Sequence, residues 1–260
     1  MSGALAGKRI LVTRPSGQAG GLSTLIRAAD GEPLEVPAIE IRDLSDLASF
    51  HAAADRLDSF DLAIFVSRNA VREALELLRV RRGGKAWPAH LKVAAIGSGS
   101  RAELEAQGFA GVIAPAAQSD SEALLALPEL SRLTGKRIVV FRGDGGRRLL
   151  GDTLIERGAS VEYAACYRRV QPDGGAARLA SAWAGGAVHA VTVSSSEGLA
   201  NLLEMLGGDG AQRLRDTALF VPHLRVADDA ARRGLGRAIV AGPGNAEMAA
   251  ALVAYFGGAG

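Results

Sequence analysis

The chain has 260 residues, and its 30 lysines and arginines against 28 aspartates and glutamates leave a net charge of only +2. Charges this evenly balanced give no general attraction to nucleic acid or to a membrane surface. Aromatic residues, at 5% of the chain, offer few stacking platforms for single-stranded nucleic acid. Cys166 is the only cysteine, which excludes an internal disulfide and a cysteine-rich zinc site. Without a signal-like start or a membrane-spanning apolar run, we expect a soluble cytoplasmic protein.

Short β-rich runs alternate along the chain with segments of helical spacing. The strand-like runs cover residues 9–12, 62–66, 93–96, 137–141, 190–193, 219–221 and 238–240. Apolar residues at helical spacing lie between them, as at 70–78 and 199–206, and Gly108 and Gly158 are placed as helix C-caps. Runs that are apolar on both faces indicate parallel strands covered by helices. The pattern therefore predicts a doubly wound α/β fold.

The chain contains a hidden duplication. Residues 8–12 resemble 136–140, and 63–67 resemble 190–194. The helix ending at Gly108 then matches the one ending at Gly234, and 120–123 match 245–248, so the separation drifts smoothly from 128 to 125 residues. Two homologous half-chains explain this drift. They predict two similar lobes, each a parallel sheet flanked by helices, with a ligand in the cleft between them.

Two segments, 35–42 and 160–170, do not fit the βα rhythm. Both alternate apolar with polar residues, as exposed extended strands do. If they pair with each other, the chain crosses between the lobes twice and the connection is a two-stranded linker.

Five motifs, in this order and spacing, resemble the uroporphyrinogen-III synthase family over essentially the whole chain. They are ILVTRP from Ile10, FVSRNAV from Phe65, AIGSGSRAEL from Ala95, GKRIVVFRGDGGRRLLGDTLIERGASV from Gly135 and YRR from Tyr167. The resemblance implies one discontinuous lobe of residues 1–36 with 172–260, and a second lobe of 37–171 that includes the linker strands. It also implies a monomer, with the preceding bilane-forming enzyme as a candidate partner.

The family's reaction is a cyclising dehydration without cofactor or metal. Hydroxymethylbilane, a linear tetrapyrrole with eight carboxylates, loses its terminal hydroxyl, inverts its last pyrrole ring through a spiro intermediate and closes to uroporphyrinogen III. Tyr167 falls on the tyrosine that the family places in the second linker, which implies a general acid for the departing hydroxyl. A phenol with a pKa of about 10 is protonated at neutral pH and can donate. Tyr163 is the competitor, and ordinary hinge packing is the alternative for Tyr167.

An octacarboxylate substrate needs hydrogen-bond donors, and helix N-termini at the carboxyl ends of strands supply them. The candidate binding residues at such turns are Ser67, Asn69, Gly97, Ser98, Ser194, Ser195, Ser196, Gly244 and Asn245. The serines and Asn69 can equally be plain N-caps. Gly244 and Asn245 replace the family's pair of threonines, which favours backbone donors at that turn.

Arg14 and Arg142 are the candidate arginines for substrate carboxylates. Arg14 follows a strand end, and Arg142 opens a glycine-rich loop that also contains Arg147 and Arg148. The alternative is a solvated surface arginine in each case.

Two rival functions remain open from the sequence. Residues 97–102 satisfy a dinucleotide-binding glycine pattern after a strand, which would suit a nucleotide-dependent enzyme. A non-catalytic two-lobed binding or sensor protein would also use hinge-linked α/β lobes. Turnover of hydroxymethylbilane separates both rivals from the synthase.

Overall fold

A computed structural model describes residues 3–116, 120–236 and 238–258. The ten strands are β1 Arg9–Val12, β2 Glu32–Glu35, β3 Glu40–Arg42, β4 Leu62–Phe65, β5 Lys92–Ala95, β6 Arg137–Gly143, β7 Ser160–Val170, β8 Ala190–Thr192, β9 Ala218–Val221 and β10 Ile239–Val240 in the described residues. The helices there are α1 Gly20–Ala28, α2 Ala48–Asp55, α3 Arg68–Arg81, α4 Ser98–Ala106, α5 Ser121–Leu125, α6 Leu149–Glu156, α7 Gly175–Ala184, α8 Ser196–Arg215, α9 Leu224–Arg232 and α10 Asn245–Gly257. Short 3-10 turns cover Leu57–Ser59 and Pro128–Leu130.

The chain divides into two compact units, one of Met1–Glu40 with Val170–Gly260 and one of Ile41–Arg169. The first unit contains a parallel sheet in the order β10-β9-β8-β1-β2. The second sheet has the order β3-β7-β6-β4-β5, with β7, β6, β4 and β5 parallel. The predicted α/β class is therefore confirmed.

The strands are apolar on both faces because both faces of each sheet are covered by helices. In β1, Ile10 and Val12 belong to one buried cluster and Leu11 to another. In β4, Ile64 and Phe65 divide in the same way between two further clusters. Each of these apolar strands thus contributes side chains to two buried clusters, one on each face of its sheet.

The two sheets repeat one topology. Strand β1 pairs with β8, and its sequence counterpart β6 pairs with β4, the counterpart of β8. The bridge from Ala94 to Ile113 flanks β5 as β10 flanks β9. Each unit therefore combines the opening strand of one half-chain with the later strands of the other half-chain, and the sequence repeat is offset from the compact units by one βα element.

Gly108 and Gly158 end their helices as expected. Both have positive φ, 90° and 88°, in the left-handed region that glycine enters without strain. The following residue donates back across each helix end, from Phe109 to the Leu104 carbonyl and from Ala159 to the Leu154 carbonyl. These bonds form the Schellman arrangement that satisfies the last carbonyls.

The prediction for residues 35–42 was wrong in one respect, since they do not form a single strand. Strand β2 ends at Glu35 and β3 begins at Glu40. Between them, Ala38 donates its N–H to the Thr13 carbonyl and accepts from Asn201 Nδ2 over 2.9 Å. These distant partners turn the chain out of one sheet before it enters the other.

The segment 160–170 does form one strand, β7, but it is neither exposed throughout nor outside the βα rhythm. It follows α6 and pairs in parallel with β6 from Ser160 onward. It also buries Ala164, Cys166 and Tyr167. Strand β3 lies beside it in the sheet, so the predicted pairing of the two segments holds for β3.

Helix α8 contains the predicted helical segment 199–206 and changes direction at Gly207, where φ is 65° and ψ is −171°. Within the described ranges, each helix is too short or too polar to span a lipid bilayer.

Candidate active site

Helices open directly after the carboxyl ends of strands in both units. In the second unit, Ser67 caps α3 after β4 and Gly97 caps α4 after β5. In the first unit, Ser195 caps α8 after β8 and Gly244 caps α10 after β10. Four of the expected helix N-termini are therefore present at strand ends, where open α/β sheets bind ligands.

The two serine caps use their side chains, and the two glycine caps have none. Ser67 Oγ accepts from the Ala70 N–H and Ser195 Oγ accepts from the Gly198 N–H, each over 3.0 Å. Gly97 and Gly244 make no side-chain bond to their helices. The first turn of α4 therefore presents backbone N–H groups and the positive end of the helix dipole. At the start of α10, the Glu247 side chain from the same helix lies against Gly244 and brings a carboxylate to this end.

The other candidate binding residues lie at the same turns. Asn69 is half-buried in the first turn of α3, and Ser98 is exposed as the first residue of α4. Ser194 is exposed just before the Ser195 cap, and Ser196 is half-buried as the first residue of α8. The sequence candidates thus divide into two groups, one at the strand ends of each unit.

Tyr167 is fully buried in the second unit, at 0% exposure. Its hydroxyl lies 3.0 Å from Ser67 Oγ and accepts a hydrogen bond from Arg169 Nη2 over 2.9 Å. The ring packs beside Gly143, where a Cβ would lie 3.0 Å from Tyr167 Cε2. The phenol is therefore held by two polar neighbours and by a glycine that leaves room for the ring.

A β-bulge places Tyr167 inward. Strand register runs from Arg142 opposite Ala165 to Gly143 opposite Tyr167, so Cys166 is an extra residue on β7. Without the bulge, consecutive side chains would alternate between faces. With it, Cys166 and Tyr167 are both buried.

Burial raises the pKa of Tyr167, and this effect exceeds the opposing influence of the Arg169 charge and of the hydrogen bonds that the hydroxyl makes with Ser67 and Arg169. The phenol therefore keeps its proton at neutral pH. It is a hydrogen-bond donor in the state that a general acid requires.

Tyr163 does not share this arrangement. Its hydroxyl is buried without a hydrogen-bond partner in the described part of the structure. The hydroxyl lies against Gly151, where any Cβ would clash with it, and the Arg142 guanidinium stacks on the ring at 4.8 Å. Tyr163 therefore has packing contacts but no neighbour to exchange a proton with.

The arginines of the 142–148 loop are engaged within their own unit. Arg142 Nη2 donates to the Gly145 carbonyl over 2.5 Å. Arg147 binds both carboxylate oxygens of Glu122, at 2.7 and 2.8 Å. Exposed Arg148 lies 3.6 Å from Asp152. A carboxylate ligand would have to compete with these partners.

Arg14 is not the solvated surface residue that was its alternative, since it is only 7% exposed. Its Nη1 donates to Asn245 Oδ1. Asn245 in turn is the first residue of α10, and Gly244 is the cap. Asp120, which matches Asn245 in the sequence repeat, does cap its helix by accepting from the Ala123 N–H. The two matched positions therefore have different roles, a helix cap in one half-chain and a partner of Arg14 in the other.

The glycine pattern at 97–102 does lie at a turn between a strand and a helix, as a dinucleotide site requires. However, the space beside Gly99 is occupied by the Arg68 side chain, whose Cδ would lie 3.4 Å from an added Cβ. Within the described ranges, no three histidine, cysteine, aspartate or glutamate side chains gather to bind a metal ion.

Arg169 is the site residue that the sequence reasoning missed. It lies two residues after Tyr167 on β7, and residues at that spacing share one face of a strand. This period of two was available in the YRR motif. Asn201 was also missed, because its bond to Ala38 joins positions 163 residues apart.

Known proteins resemble this chain over most of its length. A family model described as uroporphyrinogen-III synthase HemD matches residues 21–250. The uroporphyrinogen-III synthase of Salmonella typhimurium is 36% identical over 196 residues, which cover 74% of this chain and 78% of that protein. The Escherichia coli enzyme of the same name is 33% identical over 197 residues, or 76% of this chain and 79% of that protein.

Two solved structures share the fold. A mutant uroporphyrinogen III synthase from Thermus thermophilus aligns with a TM-score of 0.61 and 19% identity over 88% of this chain and 90% of that chain. The synthetase from Helicobacter pylori aligns with a TM-score of 0.60 and 13% identity over 93% and 96%. Because the family model spans most of the sequence and the bacterial relatives match it at over 30% identity, the chain belongs to the uroporphyrinogen-III synthase family.

Proposed function

We propose that this chain converts hydroxymethylbilane to uroporphyrinogen III by cyclising dehydration with inversion of the last pyrrole ring. The observation that supports this most is the family match over residues 21–250, together with relatives of that name from two bacteria. A non-catalytic binding protein of the same fold is favoured by no comparison.

We assign the binding of the substrate's carboxylates to helix N-termini that follow strand ends. The backbone donors at the start of α4 are open, because Gly97 contributes no capping side chain. At the start of α10, a substrate carboxylate has to displace the Glu247 side chain that lies against Gly244. Anions are stabilised there by the N–H groups and by the helix dipole. Further side-chain donors lie at these and other carboxyl ends of strands, namely Ser98, Asn69, Ser194, Ser196, Arg14 and Arg142.

Tyr167 is the source of the proton that leaves with the hydroxyl. Its buried phenol is neutral at neutral pH, because burial raises its pKa, and Arg169 lies close enough to stabilise the phenolate that proton loss creates. Catalysis then depends mainly on holding the two ends of the bilane together, a proximity effect.

The test is the isomer of the product. Hydroxymethylbilane closes spontaneously to the symmetric type I isomer, so purified protein must yield type III. Type I alone from folded protein would overturn the proposal.

A further inference from the structure

Three polar groups in the second unit form a continuous chain from a half-buried cation to the carboxyl end of β4. Arg169 Nη2 is 2.9 Å from the Tyr167 hydroxyl, which is 3.0 Å from Ser67 Oγ. Arg169 and Tyr167 lie on β7, and Ser67 caps α3 after β4. We propose that Ser67 delivers the proton to the departing hydroxyl, and that Tyr167 and Arg169 act through Ser67 as positioning residues. This inference rests on the proposed function.

The direction of the hydrogen bonds follows from which groups can donate. A guanidinium only donates, so the Tyr167 oxygen must accept from Arg169. The single phenol proton is then directed at Ser67 Oγ, the other polar atom bonded to that hydroxyl. Ser67 Oγ also accepts from the Ala70 N–H over 3.0 Å. Both acceptor sites of the serine oxygen are thus used, and its own O–H points elsewhere.

Exposure decides which member can touch a substrate. Tyr167 is completely buried, whereas Ser67 is half-buried at the strand end. Within the described residues, the hydrogen bonds of the Ser67 hydroxyl are those with the Ala70 N–H and the Tyr167 hydroxyl. Arg169 is half-buried as well, but a guanidinium does not give up its proton in a protein. The serine hydroxyl is therefore the member of the chain that can present a proton outside the protein interior.

The chemistry balances as a relay. The C–O bond of the terminal hydroxymethyl group breaks as the pyrrole nitrogen lone pair forms an exocyclic double bond, and the departing oxygen takes the Ser67 proton and leaves as water. Ser67 recovers a proton from Tyr167, and the resulting phenolate is paired with Arg169. When the new carbon–carbon bond closes the ring, the proton lost from the pyrrole returns along the same chain to Tyr167.

Two features of the fold favour this relay. A chain of hydrogen bonds that begins at a cation is polarised along its length, so each donor is more acidic than it would be without the cation. The relay also ends at the N-terminus of α3, where the helix dipole stabilises negative charge developing on the serine oxygen.

The test is a double-mutant cycle with Tyr167→Phe and Ser67→Gly. Glycine keeps most of an N-cap's stability, so the hydroxyl is removed with little effect on the helix. Each single variant should lower kcat by about 100-fold, the lower end of what a positioned proton donor contributes, with KM for hydroxymethylbilane unchanged. The double variant should be no slower than the slower single variant. Effects that multiply, or a Ser67→Gly enzyme with wild-type kcat, would overturn the relay.

Substitutions of Arg169 give a second, independent test of the relay. Arg169→Met should lower kcat in the wild-type background and add nothing in the Tyr167→Phe background, and Arg169→Lys should restore part of the rate because it keeps the charge. Equal losses in both backgrounds would contradict the relay, and this test remains decisive if Ser67→Gly does not fold. Wild-type protein without type III product would refute the proposed function, whereas active wild type with an unaffected Ser67→Gly variant refutes the relay alone.

Discussion

Arg14 donates from Nη1 to Asn245 Oδ1 over 2.5 Å, which joins the end of the first strand to the start of the last helix across 231 residues. The Asn245 amide also lies directly against Gly21 of α1, where an added Cβ would overlap Nδ2. A side chain at the position of the family's threonines thus orders one end of the first unit. Its contact with Gly21 explains why α1 carries glycine there.

We expect Gly21→Ala to destabilise the protein by about 1–3 kcal/mol, because the Asn245 amide must move away from its bond to Arg14. In an Asn245→Ala background the same change should be neutral or stabilise by up to ~1 kcal/mol, since alanine is the better helix former. Urea unfolding measures both. Gly20→Ala is the matched control, because nothing lies within 4 Å of that position. Equal effects of Gly21→Ala in the two backgrounds would contradict the assigned contact.

Gly143→Ala should lower both stability and turnover. A Cβ at Gly143 would lie 3.0 Å from Tyr167 Cε2 and 3.2 Å from Cζ, and the buried ring can yield only by shifting its hydroxyl relative to Ser67. Overpacking of this kind costs about 1–3 kcal/mol. Gly145→Ala, in the same loop with open space around it, should match wild type in melting temperature and kcat. A Gly143→Ala enzyme as stable and active as Gly145→Ala would show that the ring is not confined.

The two tyrosines of β7 should respond oppositely to loss of the hydroxyl. Tyr163→Phe removes a buried oxygen without a partner in the described structure, so it should leave kcat unchanged and leave stability unchanged or raised by up to ~1 kcal/mol. Tyr167→Phe removes a hydroxyl bonded to Ser67 and Arg169 and should slow turnover without abolishing it. Steady-state kinetics with thermal melting measures both. A loss of activity in Tyr163→Phe that exceeds the loss in Tyr167→Phe would reverse the assignment.

The strands and the helix starts could be predicted from the sequence, because their signals are local. An apolar run with a capping serine or a glycine after it needs no distant partner to be recognised. The break at residues 36–39 could not be predicted in this way. It depends on the hydrogen bonds that Ala38 makes with Thr13 and Asn201. These residues are far from Ala38 in the sequence and come close to it only in the folded unit.

The site was predictable in part for the same reason. The turns at Ser67, Gly97, Ser195 and Gly244 follow from strand–helix patterns. The burial of Tyr167 depends on a bulge opposite Gly143, and regular alternation would have placed it on the face opposite Cys166.

Because the Cys166 thiol is buried, we expect the protein to lose stability at alkaline pH. Burial, reinforced by the negative charge of Glu73, raises the pKa of its thiol from 9.0 to about 12. Below pH 9.0 the thiol is protonated in both states and contributes no pH dependence; above it, the unfolded chain loses this proton first. The free energy of unfolding should therefore fall by up to ~1.4 kcal/mol per pH unit as the pH rises toward about 12.

Cys166→Ala should make this fall shallower without removing it, because burial also raises the pKa of Tyr167 and adds a contribution of the same sign. Urea unfolding at several pH values from neutral upward measures the slope. Identical slopes in wild type and Cys166→Ala would refute the role assigned to the thiol.

The central claim is that the folded chain directs ring closure to the inverted isomer. The direct measurement generates hydroxymethylbilane in situ with a bilane-forming enzyme, adds this protein at increasing concentration, oxidises the products and separates type I from type III uroporphyrin by chromatography. We predict that the fraction of type III rises with protein concentration, and that heat-denatured protein gives type I alone. A fraction of type I that does not change with the concentration of folded protein would contradict the account.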